Sequence, residues 1–207
     1  MKPVKKVLIF DFDGVIADTL SIHVQIYDQL SKKFGLKLIK TPEEYADIFD
    51  TNFYYALGDL GLPKEHIDDF LASWKKLFHQ EFKNIPLYHG IKNAVQVLAK
   101  DNEMCIVSAN SSKLLRLFLN SRDISDFSTI LGGEEGKSKV SKLRSLKEKY
   151  PNHDYYYITD TVGDIIEANE AKVKSVAVTW GFHNREKLVK ENPDYAVDSV
   201  EELLSLF

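Results

Sequence analysis

Asp11-Phe12-Asp13-Gly14-Val15 follows the apolar run Val7-Leu8-Ile9-Phe10, so two carboxylates one residue apart stand at the end of an expected buried strand. Neighbouring anions repel and each loses hydration on burial, so such a pair calls for a cation, a shared proton or solvent. A metal site is the natural reading. Along an extended chain Asp11 and Asp13 face one side and Phe12 the other, and Gly14 permits a tight turn close to a ligand. An isolated Asp-x-Asp is ordinarily two solvated loop acids; here three distant segments argue for more.

Val107-Ser108-Ala109-Asn110 ends a second strand-like run with a hydroxyl and turn residues, and a helix opening near Ser111 or Ser112 would add backbone N–H groups for a phosphoryl oxygen. By itself, a serine before a helix is usually only a cap. Lys137 and Lys139 open a helix bearing Val140, Leu143 and Leu146. A cation there opposes the helix dipole, which suits the holding of an anion better than it suits stability. Ile158-Thr159-Asp160-Thr161-Val162-Gly163-Asp164 supplies two more acids; Asp164 could serve as an N-cap, but Asp160 emerges straight from an apolar strand, where an unpaired carboxylate is expensive. Four carboxylates with a lysine and a hydroxyl, and no cysteine or histidine set, select Mg²⁺ over Zn²⁺.

The elements that must position these groups read as α/β. Val4 to Phe10, Met104 to Ser108, Thr129 to Leu131, Tyr155 to Thr159 and Ser175 to Thr179 alternate with helical patterns such as Ile91/Ala94/Val95/Leu98 and Leu114/Leu115/Phe118/Leu119. This rhythm predicts a parallel sheet with helices on both faces, whose carboxyl edge gathers the motif residues. Between Asp18 and about Lys83 the alternation gives way to helical patterns alone, expected near Ser21 to Phe34, Pro42 to Leu57 and Pro63 to Phe82. Thr41-Pro42-Glu43-Glu44 and Ser199-Val200-Glu201-Glu202 have capping-box spacing. The expected division is a core of residues 1–16 and 84–207 and a small α-helical insertion of residues 17–83 placed to act as a lid.

Composition narrows the function classes. The single cysteine, Cys105, lies in an apolar run as a small buried hydrophobe, which fits a reducing cytoplasm. No apolar stretch approaches a membrane span, and a net charge of −4 with mixed signs offers no basic stripe for nucleic acid. The glycines of Leu131-Gly132-Gly133-Glu134-Glu135-Gly136 lack dinucleotide-binding spacing. His66, His79, His89, His153 and His183 lack metal-ligand spacing and read as surface or structural. The expected partner is a small phosphorylated metabolite, not nucleic acid or membrane; monomer and homodimer both remain open. Asn52, Phe53, Tyr54 and Lys75 are unordered candidates for substrate contact in the lid.

Across nearly the whole chain these residues resemble the haloacid dehalogenase superfamily of phosphohydrolases, in its phosphoglycolate-phosphatase and β-phosphoglucomutase-like branch. Asp11 to Thr19 resembles its first motif, Ser108 the second, Lys137 or Lys139 the third, and Asp160 with Asp164 the fourth; Tyr88-His89-Gly90-Ile91 and Val178-Thr179-Trp180-Gly181-Phe182 resemble further segments. The resemblance implies a Rossmann-like core with a helical cap and a phosphatase using an aspartyl-phosphate intermediate. In it Asp11 is the nucleophile and Asp13 the general acid and base. Asp11, the Asp13 carbonyl and Asp160 hold Mg²⁺ with Asp164 assisting, and Ser108, Ala109, Asn110 and one of the two lysines bind phosphate. Thr159 replaces the usual glycine, and the third motif lacks its common Lys-Pro pair; Lys139 is favoured because it leads directly into the helical stripe. The rival is a sugar phosphomutase, which shares a histidine at the place of His23. A dehalogenase leaves Asp13 without purpose, a phosphonatase needs a cap lysine not evident here, and a receiver domain lacks both the Asp-x-Asp pair and the insertion. A non-catalytic protein on the same fold would be expected to have lost an acid.

Overall fold

The computed structural model describes residues 5–51, 53–136 and 138–207, with the side chains of Tyr54 and Tyr55 outside that description. Of the sequence candidates, Asn52, Lys137 and the side chain of Tyr54 therefore lie outside the described residues, as does Val4 at the start of the first strand.

Among the described residues six parallel strands form one sheet: β1 (Lys6–Phe10), β2 (Glu103–Val107), β3 (Thr129–Leu131), β4 (Asp154–Thr159), β5 (Lys174–Val178) and β6 (Tyr195–Val197), in the order β3-β2-β1-β4-β5-β6. Val7, Leu8, Ile9 and Phe10 are all fully buried, which is why β1 shows a continuous apolar run instead of alternation. Leu8 and Phe10 pack into one core layer and Val7 and Ile9 into the other. On the first face lie α5 (Ile91–Leu98), α6 (Ser112–Asn120) and α10 (Val200–Ser205); on the second lie α7 (Lys139–Lys149) and α8 (Val162–Ala171). Strand order reverses between β1 and β4, and the crevice at such a switch point is the expected ligand site of an open α/β sheet.

The helical insertion comprises α1 (Leu20–Phe34), α2 (Pro42–Ala46), α3 (Phe53–Asp59) and α4 (Ile67–Glu81), with α1 packed on α4. Its two connections run side by side, where the Asp18 N–H donates to the Pro86 carbonyl and the Tyr88 N–H to that of Ile16. Of the expected capping boxes the N-cap half forms, Thr41 Oγ1 accepting from the Glu44 N–H and Ser199 Oγ from the Glu202 N–H, while Glu44 and Glu202 reach back one residue further, to the Lys40 and Asp198 N–H groups. The helix expected from Pro42 to Leu57 is instead broken: α2 passes into a 3₁₀ turn over Asp47–Asp50, and Thr51 is extended at φ −132° and ψ −177°. The break lies against α8. A Cβ on Gly163 would sit 2.9 Å from the Phe49 carbonyl oxygen and 3.1 Å from that of Thr51, so these backbones meet where only glycine fits. α9 (Arg185–Val189) completes the helices, and β6 is an edge strand that the sequence patterning did not reveal.

Candidate active site

β1 ends at Phe10, and the Asp11 N–H continues its ladder by donating to the Ile158 carbonyl at 2.9 Å. That bond sets Asp11 beside the end of β4, where Asp160 follows. Asp11 is 5 % exposed and Asp160 fully buried, so the two acids approach each other away from water. Gly14, at φ +72°, and Gly181 enclose Asp160: a Cβ on either would fall within 2.5 Å of its Oδ2. Asp160 Oδ2 accepts from the Phe182 N–H at 2.7 Å, whereas its buried Oδ1 has no hydrogen-bond partner among the described residues. Burial, opposed by the Phe182 N–H, pushes the Asp160 carboxyl up to about 8.

Lys139 lies between two of the other acids. Its Nζ donates to Asp11 Oδ2 at 2.8 Å and to Asp164 Oδ2 at 2.6 Å. Burial disfavours charge on this ammonium, but Asp11 and Asp164 more than offset it and hold its pKa well above the ordinary value. Asp164 also accepts from the Tyr157 hydroxyl at 3.0 Å and the Thr159 hydroxyl at 2.8 Å. Burial works against its charge too, yet Lys139, the hydrogen bond with Asp11 and the Thr159 hydroxyl keep its carboxyl low. Burial raises Asp11 well above the usual carboxylate range against the pull of Lys139, with Asp164 and Asp160 adding repulsion. Thr159, the departure noted from sequence, is therefore a buried donor to Asp164.

Asp13 is held by two groups from different parts of the chain. His23 Nε2, from α1, lies 3.1 Å from its Oδ1, and the Asn110 carboxamide donates to its Oδ2 at 2.5 Å. Ser108 is fully buried and accepts from the Asn110 N–H at 3.1 Å, which bends the loop after β2. The sequence expectation that the α6 N-terminus offers free N–H groups needs correction at Ser112: its N–H donates to Glu134 Oε1 at 2.9 Å, and its hydroxyl bonds the same carboxylate. The Gly132-Gly133 turn makes this possible, since a Cβ on Gly132 would lie 2.4 Å from the Ser112 nitrogen.

Lys142 was not singled out from sequence. It is 2 % exposed, and its Nζ donates to the Ser108 carbonyl at 2.7 Å. Burial, with repulsion from Lys139, lowers the ammonium to about 8. The available signal was its i+3 spacing from Lys139 on a helix face shared with Leu143 and Leu146. Asp11, Asp13, Ala109, Asn110, Lys139, Asp160 and Asp164 all line one cavity of about 340 Å³ beneath the helical insertion.

No group of three or more His, Cys, Asp or Glu side chains among the described residues forms a metal cluster. The donors present nevertheless fit a magnesium ion, which commonly takes one or two carboxylates and completes its shell with water and substrate oxygens. The unpartnered Oδ1 of Asp160, next to Asp11, is the supporting observation.

The chain is similar to known proteins in sequence and in fold. Over 202 residues the chain is 27 % identical to a phosphoglycolate phosphatase of Synechococcus elongatus, covering 95 % of this chain and 94 % of that one. It is 24 % identical over 218 residues to a phosphoglycolate phosphatase of Vibrio parahaemolyticus, covering 97 % and 95 %. A haloacid dehalogenase-like family hydrolase from Streptococcus pneumoniae has the same fold, with a TM-score of 0.82 at 19 % identity over 98 % of both chains. Residues 8–178 match the haloacid dehalogenase-like hydrolases, and the chain belongs to that family.

Proposed function

We propose that this protein is a Mg²⁺-dependent phosphatase of a small phosphorylated metabolite, in which Asp11 is the nucleophile and Asp13 the general acid and base. The observation that carries the reading is Lys139 bridging Asp11 and Asp164 beside the unpartnered Asp160 oxygen, at the floor of a cavity. The relatives named phosphoglycolate phosphatase support the same class of reaction. Residues 17–83 would serve as a cap over a core formed by 1–16 and 84–207.

Asp11, the Asp13 carbonyl and Asp160 would hold Mg²⁺, with Asp164 assisting; the ion supplies charge neutralisation for the transferring phosphoryl group. Lys139 keeps a cation against Asp11 while the carboxylate attacks phosphorus. The new bond joins Asp11 to phosphorus as the ester P–O bond breaks. Asp13, oriented by His23 and Asn110, gives its proton to the departing oxygen. It then takes a proton from the water that attacks the aspartyl-phosphate, releasing phosphate and regenerating both acids. Ser108, Ala109 and Asn110 would contact the phosphoryl oxygens, and Lys142 fixes their loop through the Ser108 carbonyl.

The test is phosphate release from a panel of phosphorylated metabolites with and without Mg²⁺. Release should require the ion, and Asp11→Asn should lower it at least about a thousand-fold. Undiminished turnover in that variant would remove Asp11 from its role. NMR of a sugar phosphate separates the phosphomutase alternative, which moves phosphate between positions without freeing it.

A further inference from the structure

We propose that the cleft accepts phosphate esters of a planar, apolar alcohol in preference to those of a small anionic acid. This rests on the phosphatase reading and goes further by naming the class of leaving group.

Above Asp11 and Asp13 the same cavity is walled by Phe49, Phe53, Leu71 and Trp74 from the insertion and by Leu114 and Leu117 from α6. The rings pack on one another. Phe49 and Phe53 stack with centroids 5.6 Å apart and planes within 7°, and Trp74 meets Phe53 edge-on at 5.6 Å. Phe49, Phe53, Leu71 and Leu114 are only half-buried, and Leu117 is 52 % exposed. Apolar surface left open over reactive carboxylates lowers its free energy by covering a ligand of the same character. At about 340 Å³ the cavity has room for a ring beside a phosphoryl group.

The cations of the cavity are arranged differently. Lys139 is neutralised by Asp11 and Asp164, and Lys142 is committed to the Ser108 carbonyl. Lys75 and Lys113 are exposed, where a carboxylate gains little from pairing because water and salt screen it. Apart from the Tyr45 hydroxyl and the His23 imidazole, which line the same cavity, a second anionic group on the substrate would face apolar carbon and meet a lysine not already committed only at the solvent edge.

The experiment measures kcat/KM of the purified full chain with Mg²⁺ for benzyl phosphate, 2-phosphoglycolate and glycerol 3-phosphate. All three release an alkyl alcohol, so leaving-group acidity does not decide the order. Benzyl phosphate should exceed the other two at least about tenfold. Phe53→Ala should lower kcat/KM for benzyl phosphate several-fold more than for 2-phosphoglycolate, through a raised KM rather than a lowered kcat, the pattern of lost uniform binding. Leu114→Ala removes the opposite wall and should act alike, which keeps the test intact if the first variant fails to fold. If 2-phosphoglycolate is the better substrate, the apolar preference is overturned while the phosphatase reading stands. If no ester is hydrolysed, the phosphatase reading fails. Calorimetric binding of benzyl phosphate to Asp11→Asn then decides the wall separately: tighter binding than 2-phosphoglycolate sustains it, and equal or weaker binding overturns it.

Discussion

The floor and the wall of the cleft are built on opposite principles. On the floor, Asp11, Asp13, Asp164 and Lys139 are locked into directional bonds with partners from the segments after β1 and β2, from β4, α7 and α8, and from the insertion, and one oxygen of Asp160 is left over among the described residues. On the wall, Phe49, Phe53 and Trp74 meet one another through ring faces and edges that fix no hydrogen bond. Charge in a buried site has few acceptable arrangements, because each unpaired group carries a desolvation cost; apolar contact has many. The floor is thus suited to one chemistry, and the wall is free to differ in what it admits.

The sharpest way to break this contrast is at Asp13. Asp13→Asn keeps the contacts to His23 and Asn110 within reach but can no longer carry a proton. Turnover of alkyl phosphates should fall about 10²- to 10⁴-fold. An aryl phosphate, whose leaving oxygen needs little protonation, should lose less in the first step, so a burst of released phenol should outrun phosphate. Equal losses for both ester types would take Asp13 out of leaving-group protonation.

Lys139→Met tests whether the floor is held by its ion pairs. It strips a buried cation from two carboxylates, a change that typically costs about 3–5 kcal/mol. Urea denaturation in metal-free buffer should show that loss, and added Mg²⁺ should stabilise the variant more than the parent chain, because the ion then supplies the missing positive charge. An unchanged denaturation midpoint would mean that the pairs contribute no net stability.

The same contrast explains what was legible in the sequence. β1, β2 and β4 announce themselves because both their faces are buried, and Asp11 and Asp160 because acids directly after such runs have few explanations. Lys139 is favoured over Lys137 for its place at the start of a helical stripe, and the structure joins it to Asp11, whereas Lys137 lies outside the described residues. β6 escaped notice: it has three residues on the sheet edge, and of these Val197 alone is buried. The break after Ala46 was hidden because its determinants are remote, namely Gly163 of α8 against the Phe49 and Thr51 carbonyls and Lys187 pairing with Asp47 and Asp50 at 2.5 Å each. Glu134 over the α6 N-terminus is likewise a contact 22 positions away in sequence. Local pattern records what a residue buries and not which distant group it will meet.

One junction between insertion and core combines both principles. His183 Nδ1 accepts from the Val162 N–H at 3.0 Å, and its Nε2 donates to the Ala46 carbonyl at 2.8 Å. Asp50, Asp47 and Lys187 surround it, and burial holds its pKa below the ordinary 6.5. As pH falls through 6.5, the unfolded chain takes up this proton first. The stability His183 contributes is therefore complete above 6.5 and is lost as pH drops through its lower folded value. Protonation at Nδ1 would also leave the Val162 N–H without an acceptor, at about 1–3 kcal/mol. The difference in unfolding free energy between the parent chain and His183→Gln should narrow between pH 7.5 and 5, and a constant difference would show that His183 stays neutral throughout.

The smallest effect is expected on the wall. Phe53→Leu keeps an apolar side chain at a half-buried position and breaks no directional bond, so unfolding free energy should change by about 1 kcal/mol or less. The floor should not register the change: Mg²⁺ dependence and the response to Lys139→Met should be the same with Phe or Leu at 53, since the two sites share no hydrogen bond. Denaturation of the two single variants and the double variant measures this directly. A coupling above about 0.5 kcal/mol would mean that ring packing in the insertion helps set the geometry of the carboxylates, and the division between a fixed floor and an adaptable wall would then have to be abandoned.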